Sequence, residues 1–227
     1  MTLSDAVLPD AVLFDCDGTL LDSETVTVRS MTAALAEQGH VLTEEHVARM
    51  VGHPWPRTRG LLVELFGMTD RDMARYRTTM RRTAIPLLGD PALVFDDVAA
   101  VLDQLTEHNV PLAVVTSSGR EHLERVLDLA PLRGRFDVQV AREDVEEHKP
   151  SPLPYATALQ QLRRLTGREL ARVSVVEDSH AGVAAGVAAG CWTVAVDRGA
   201  GLHDLDHADL VVQRLEPSHL VPLHTSP

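Results

Sequence analysis

Ala11-Val-Leu-Phe-Asp15-Cys16-Asp17-Gly18-Thr19 is a short apolar run that stops at two carboxylates and a glycine. A run of this length without polar alternation reads as a buried parallel strand that ends in a functional loop. Working outward, similar runs recur at Leu112-Ala-Val-Val115, Val173-Ser-Val-Val176 and Thr193-Val-Ala-Val196, with a weaker Leu210-Val-Val212. Helical spacing separates them: Phe95, Val98, Val101, Leu102 and Leu105, then Leu123, Val126 and Leu127, then Tyr155, Ala158, Leu159, Leu162 and Leu165. Strands alternating with helices predict an α/β fold, a parallel sheet covered on both faces with its sites at the C-terminal strand ends.

Between the first strand and Phe95 no strand pattern occurs. Amphipathic helical stretches lie instead near Ser23 to Gln38, Thr43 to Val51, Thr58 to Phe66 and Asp70 to Ala84. A strand-to-helix connection normally takes ~2–6 residues, so this segment is an inserted α-helical cap rather than a loop. The expected organisation is a catalytic core of residues 1–22 and 88–227, with the cap at 23–87. Gly182, Gly186 and Gly190 recur every four residues and would let a helix lie close against the sheet.

The 227 residues are 44% hydrophobic, enough for one substantial core and a modest second domain. A net charge of -12, with no run of basic residues, argues against nucleic acid or an anionic membrane as a partner. No apolar stretch approaches the ~20 residues of a membrane span, and the N-terminus does not read as an export signal. Cys16 and Cys191 each adjoin an apolar run, as buried thiols would. A cytoplasmic protein is the expectation. The 21 basic residues include a single lysine, Lys149, in a chain that otherwise uses arginine.

The first three strands each stop at polar groups: Asp15-Cys-Asp17-Gly18, Thr116-Ser117-Ser118-Gly119 and Glu177-Asp178-Ser179. If the first strand runs on through Asp15 and Asp17, their carboxylates share a face. Asp15, Asp17 and Asp178 are hard oxygen donors without thiolate or imidazole partners, a set that suits Mg²⁺ and a substrate phosphate. In this reading Asp15 is a nucleophile that attacks phosphorus, and Asp17 protonates the leaving oxygen and then deprotonates water. Thr116 and nearby N–H groups hold phosphoryl oxygens, and Lys149 offsets the charge that accumulates. Each motif also has a plainer reading: a turn for Asp-x-Asp-Gly, a helix N-cap for Thr-Ser-Ser-Gly or Glu-Asp-Ser, a solvated charge for Lys149. Their order at successive strand ends favours chemistry.

With these residues in place the chain resembles the haloacid dehalogenase superfamily of phosphatases. Asp15-Cys16-Asp17-Gly18-Thr19-Leu20 is similar to its first motif, Thr116 to the second, Lys149 to the third, and Glu177-Asp178 to the metal acids of the fourth. The resemblance implies a Rossmann-like core, an aspartyl-phosphate intermediate, a helical cap over a small phosphorylated metabolite, and Mg²⁺ held by Asp15, Asp178, the Asp17 carbonyl and Glu177 directly or from behind. Gly18, Ser117 and Ser118 would line the substrate site. Asp22-Ser23-Glu24 and Lys149-Pro-Ser-Pro152 look most like the branch of β-phosphoglucomutase and sugar-phosphate phosphatases, so sugar or polyol phosphates are the expected class.

Mutase members of that branch carry a cap-hinge histidine at the position of Thr27, which favours hydrolysis over the mutase alternative. Leu153 and His148 depart from the branch's usual Asp and Gly around the lysine. A phosphoacceptor receiver module, the non-enzymatic alternative, lacks a helical insertion. In the cap, His53, Trp55 and Arg57 occupy the place of a specificity loop and are candidate substrate contacts, or else a structural turn. Arg120 and Arg81-Arg82 are a second anion site or solvated charge. A monomer or small homo-oligomer is compatible with a capped site.

Overall fold

The computed structural model describes residues 8–51, 53, 55–199 and 205–222, and the chain divides into two compact units, Asp22–Asp90 and the remainder. Among the described residues the larger unit is built on six parallel strands: β1 (Ala11–Phe14), β2 (Leu112–Val115), β3 (Val138–Val140), β4 (Val173–Glu177), β5 (Trp192–Val196) and β6 (Leu210–Val212). Their spatial order is β3-β2-β1-β4-β5-β6. The chain therefore builds one half of the sheet outward from β1, then returns to β1's other side with β4. The β1/β4 boundary is the topological switch point, where crossovers leave in opposite directions and open a crevice at the strands' C-terminal ends.

β1, β2 and β4 are buried along their whole length, which is why they contain unbroken apolar runs rather than alternation. The helices are α5 (Asp96–Glu107), α6 (Arg120–Leu127), α7 (Leu153–Thr166) and α8 (His180–Ala188). Tyr155, Ala158 and Leu162 of α7 pack in one cluster with Leu13, Ala113, Val115 and Val175. Burial of each Leu or Val side chain among them contributes about 1.5–3 kcal/mol relative to exposure. β3 was not legible in the sequence. It has only three residues, its central Gln139 is exposed, and it lies at the sheet's edge, where one face and one pairing partner suffice.

Gly182 and Gly186 act as their spacing suggested. A Cβ on Gly186 would come within 2.8 Å of Thr193 Oγ1, and one on Gly182 within 1.8 Å of Glu177 Oε1. Gly190 has another purpose: its φ of +74° closes the turn after α8.

Among the described residues the smaller unit has four helices, here numbered α1 (Ser23–Ala36), α2 (Glu44–Met50), α3 (Trp55–Phe66) and α4 (Asp70–Leu87). Its own core includes Met31, Leu35, Met50, Leu61, Leu62, Met73 and Tyr76. Asp22 caps α1 by accepting from the Thr25 N–H at 2.9 Å, and Thr69 and Asp72 form a reciprocal cap on α4. α3 starts at Trp55 rather than near Thr58, because Pro56 falls in its first turn, where a missing N–H costs no helix hydrogen bond. Among the described residues, no helix is long and apolar enough to cross a membrane.

Candidate active site

Three strand ends meet around one ammonium. Asp15 continues the ladder past β1, its N–H donating to the Val176 carbonyl at 2.9 Å. Lys149 Nζ then donates to Asp15 Oδ1 at 2.5 Å, to the Val115 carbonyl at the end of β2 at 2.9 Å, and to Glu177 Oε1 at the end of β4 at 2.6 Å. All three ammonium donors are used, and the Lys149 side chain is only 4% exposed. The ammonium also lies 4.8 Å from the centre of the Tyr155 ring. A buried charge is tolerated only when paired and hydrogen-bonded, so this lysine is not a solvated loop charge. Its two carboxylate partners outweigh burial and hold its pKa well above the usual lysine value.

Glu177 is fully buried. Its Oε1 accepts from Lys149 and, at 2.6 Å, from the Tyr155 hydroxyl; its Oε2 accepts from the N–H groups of Asp178 and Ser179 and from the Ser179 hydroxyl. With both oxygens engaged, Glu177 braces Lys149 and the loop after β4. Ser179 meanwhile caps α8, accepting from the Gly182 N–H at 3.1 Å. Asp178 Oδ1 accepts from Thr19 Oγ1 at 3.2 Å. Gly18 makes this approach possible: its φ is +85°, and a Cβ would fall 1.9 Å from Asp178 Oδ2.

Asp15, Glu177 and Asp178 offer carboxylate oxygens within 4.8 Å of one another. Burial and the neighbouring Glu177 raise the Asp15 pKa well above its ordinary value despite Lys149, and burial with Glu177 pushes Asp178 up to about 7. Three carboxylates thus share one ammonium in a low-dielectric site. The group is short of positive charge, and its all-oxygen donors fit a hard divalent cation.

Asp17 is held apart from this cluster. Ser118 Oγ donates to its Oδ2 at 2.7 Å, and His122 Nε2 lies 2.8 Å from its Oδ1. Burial raises its pKa, but the His122 hydrogen bond and charge, the Ser118 hydroxyl and the Lys149 charge win, so Asp17 titrates below the usual carboxylate value. Thr116 is buried, and its Oγ1 accepts from the Ser118 N–H at 2.9 Å. Ser118 is therefore spent on Asp17 and not on an N-cap, which Gly119 provides for α6 without a side-chain bond. Ser117 is exposed beside it. Cys16 is buried, and burial pushes its thiol pKa well up, so it is packing; Cys191 is also a free buried thiol.

Two site residues escaped the sequence reading. Tyr155 counted as an apolar helix position, although a buried phenol usually finds a hydrogen-bond partner. His122 precedes the apolar Leu123 on α6 and has no local signal; only the fold brings it to Asp17. Arg120 is committed to structure, pairing with Asp144 and approaching the Gln139 carbonyl.

His53, Trp55 and Arg57 belong to the four-helix unit. Trp55, 37% exposed, stacks on Tyr76 with centroids 6.4 Å apart, and the Arg77 guanidinium lies 5.3 Å from its ring centre. A cavity of about 830 Å³ within that unit is lined in part by Thr27, His53, Trp55, Tyr76, Arg77 and Arg81, and among the described residues no carboxylate lines it. Arg57 is exposed and does not line it. Arg82 pairs with Glu37.

Comparison with known proteins gives a consistent picture. The family described as haloacid dehalogenase-like hydrolase matches residues 12–196. Hexitol phosphatase A of Escherichia coli is 32% identical over 205 residues, 90% of each chain. Pyrophosphatase PpaX of Oceanobacillus iheyensis is 28% identical over 186 residues, 82% of each chain. Among solved structures, a hydrolase of the same family from Deinococcus radiodurans, crystallised with bound phosphate and sodium, superposes with a TM-score of 0.71 at 27% identity, covering 94% of each chain.

Proposed function

Because this chain belongs to the haloacid dehalogenase-like hydrolases, we propose that it is a magnesium-dependent phosphatase of a small phosphorylated metabolite, with Asp15 as nucleophile. The observation that carries this reading is the Lys149 ammonium, which ties Asp15 to Glu177 at the switch point of the sheet. An oxygen of Asp15 attacks phosphorus. The Asp15–phosphorus bond forms as the bond to the leaving oxygen breaks, and that oxygen takes its electron pair and a proton from Asp17. Water then attacks the aspartyl-phosphate while Asp17 takes its proton, and inorganic phosphate leaves with Asp15 restored.

For this Asp17 takes up a proton and turns its Oδ2 from Ser118 to the leaving oxygen, while His122 stays on Oδ1. Lys149 lowers the cost of gathering negative charge, and keeps Asp15 in one orientation for in-line attack. In this reading the Thr116 hydroxyl, whose oxygen accepts from the Ser118 N–H, donates its own hydrogen to a phosphoryl oxygen, and nearby loop N–H groups join it. Asp15, Asp178 and the Asp17 carbonyl would hold Mg²⁺, which when bound neutralises carboxylate and phosphate and makes their approach feasible. Glu177 supports this set from behind.

Sugar and polyol phosphates are the proposed substrate class, in keeping with the hexitol phosphatase among the relatives. The test is phosphate release from a panel of phosphorylated sugars, polyols, phosphoglycolate and pyrophosphate, with and without Mg²⁺, beside an assay for isomerisation of β-glucose 1-phosphate. Magnesium-dependent release supports the proposal and ranks the substrates. Isomerisation without release would make the protein a mutase, and silence in both assays would remove the phosphatase reading.

A further inference from the structure

The clamp on Asp17 has two jaws, one from the loop after β2 and one from the first turn of α6. Ser118 is fixed by its N–H bond to the buried Thr116 hydroxyl, and it reaches Asp17 Oδ2 at 2.7 Å. His122 stands in the first turn of α6, and its ring crosses to the loop after β1 to meet Asp17 Oδ1 at 2.8 Å. The His122 N–H donates to the Gly119 carbonyl at 3.0 Å in the first turn of α6, which leaves the imidazole ring for Asp17. A carboxylate accepting at both oxygens is fixed in its plane as well as its direction. Since Asp17 accepts here, the Nε2 atom of His122 carries the hydrogen.

Resting on the phosphatase reading above, we infer that His122 is a positioning residue for the reaction: by gripping Oδ1 it sets the orientation from which the Asp17 carboxyl meets the leaving oxygen. Without it, nothing fixes the plane of the Asp17 carboxyl, and proton delivery loses its geometry while the approach of Asp15 to phosphorus does not. The effect therefore depends on how much the leaving group needs a proton. A general acid contributes about 10²–10⁴ in rate, and a misplacement of ~1 Å forfeits a large part of it.

The experiment compares kcat/KM of wild type, His122→Ala and His122→Gln on phenyl phosphate and p-nitrophenyl phosphate. The two probes differ little in shape, but phenol, with a pKa of about 10, leaves far better with a proton, whereas nitrophenolate leaves without one. His122→Ala is expected to lose about tenfold to a hundredfold on phenyl phosphate and less than about threefold on p-nitrophenyl phosphate. His122→Gln, whose amide nitrogen can donate from nearly the same place, recovers most of the loss. Equal losses on both probes, or none on either, overturn the inference while leaving the phosphatase reading intact. In parallel, ¹⁵N NMR of the imidazole compares wild type with Asp17→Ala: a shifted Nε2 resonance is expected, and an unchanged one overturns the inference. If wild type cleaves neither probe in Mg²⁺, nor any member of the wider panel, the phosphatase reading itself falls and this role with it.

Discussion

The ammonium of Lys149 lies 2.5 Å from Oδ1 of Asp15, although 134 positions separate the two residues in the chain. The same nitrogen reaches Glu177 at 2.6 Å, so one buried cation organises acids delivered by two strands. Removing either side of such an arrangement leaves an uncompensated charge, which is why its members should respond very differently to near-isosteric and to charge-preserving substitutions.

Asp15→Asn keeps the volume and one acceptor for Lys149 but cannot attack phosphorus. Turnover should fall by at least about a thousandfold. The variant also sheds a like charge from the cluster with Glu177 and Asp178, so thermal unfolding should stay within a few degrees of wild type. Normal phosphate release by this variant would remove Asp15 as nucleophile.

Lys149→Arg conserves charge and should still lose about 10²–10³ in kcat. The site is filled by Asp15, the Val115 carbonyl, Glu177 and the Tyr155 ring, and a planar guanidinium cannot take the place of a compact three-way donor there. Steady-state kinetics decide this, and wild-type kcat would return Lys149 to a general electrostatic role.

Tyr155→Phe deletes the hydroxyl that donates to Glu177 at 2.6 Å. A hydrogen bond to a charged group in the interior contributes about 1.5–3 kcal/mol, and denaturant unfolding should show a loss in that range. Activity should fall less than in the Lys149 variant, because Lys149 still holds Glu177.

Gly182→Ala and Gly60→Ala form a matched pair. At Gly182 the new methyl collides with the Glu177 carboxylate, whereas at Gly60, within α3, nothing lies within 4 Å. The first should cost about 1–3 kcal/mol and reduce activity by displacing the brace of Lys149. The second should gain about 0.5–1 kcal/mol from helix propensity with activity unchanged. Equal stability changes in the two would contradict the packing described for α8.

Asp97 offers a pH test away from the site. It accepts from Arg198 at 2.7 Å and from the Leu215 N–H at 2.7 Å. Burial raises its pKa, but these donors win and leave it below the ordinary value. Its folded pKa is depressed, so its contribution to stability is complete above the unfolded value of about 3.9 and is lost as pH falls through the folded value. Asp97→Asn should destabilise by about 1.5–3 kcal/mol at neutral pH. The difference between the variants in urea unfolding should shrink below pH ~4; a constant difference would show that packing, not charge, is at work there.

The local chemistry of the strands made most of the fold legible. Val12, Leu13, Val114 and Val175 lie in runs that only a sheet covered on both faces can bury, and the acids at their ends mark where such sheets place sites. β3 escaped because Val138 and Val140 flank an exposed Gln139 at an edge, a pattern too brief to separate from a loop. His122 and Tyr155 escaped for a different reason: a side chain's hydrogen-bond partner across the fold leaves no trace in its neighbours.

The sequence by itself therefore determined the alternation of strands and helices, the helical insertion, and the identities of Asp15, Asp17, Lys149 and Asp178 as the groups worth watching, because burial and periodicity are local properties of a chain. Only the tertiary structure decided that Lys149 is buried between Asp15 and Glu177, that Glu177 has both oxygens engaged by protein donors, and that Asp17 rests between Ser118 and His122. Those are distances between residues up to 134 positions apart, fixed by the order in which the strands pair, and no local pattern contains that order.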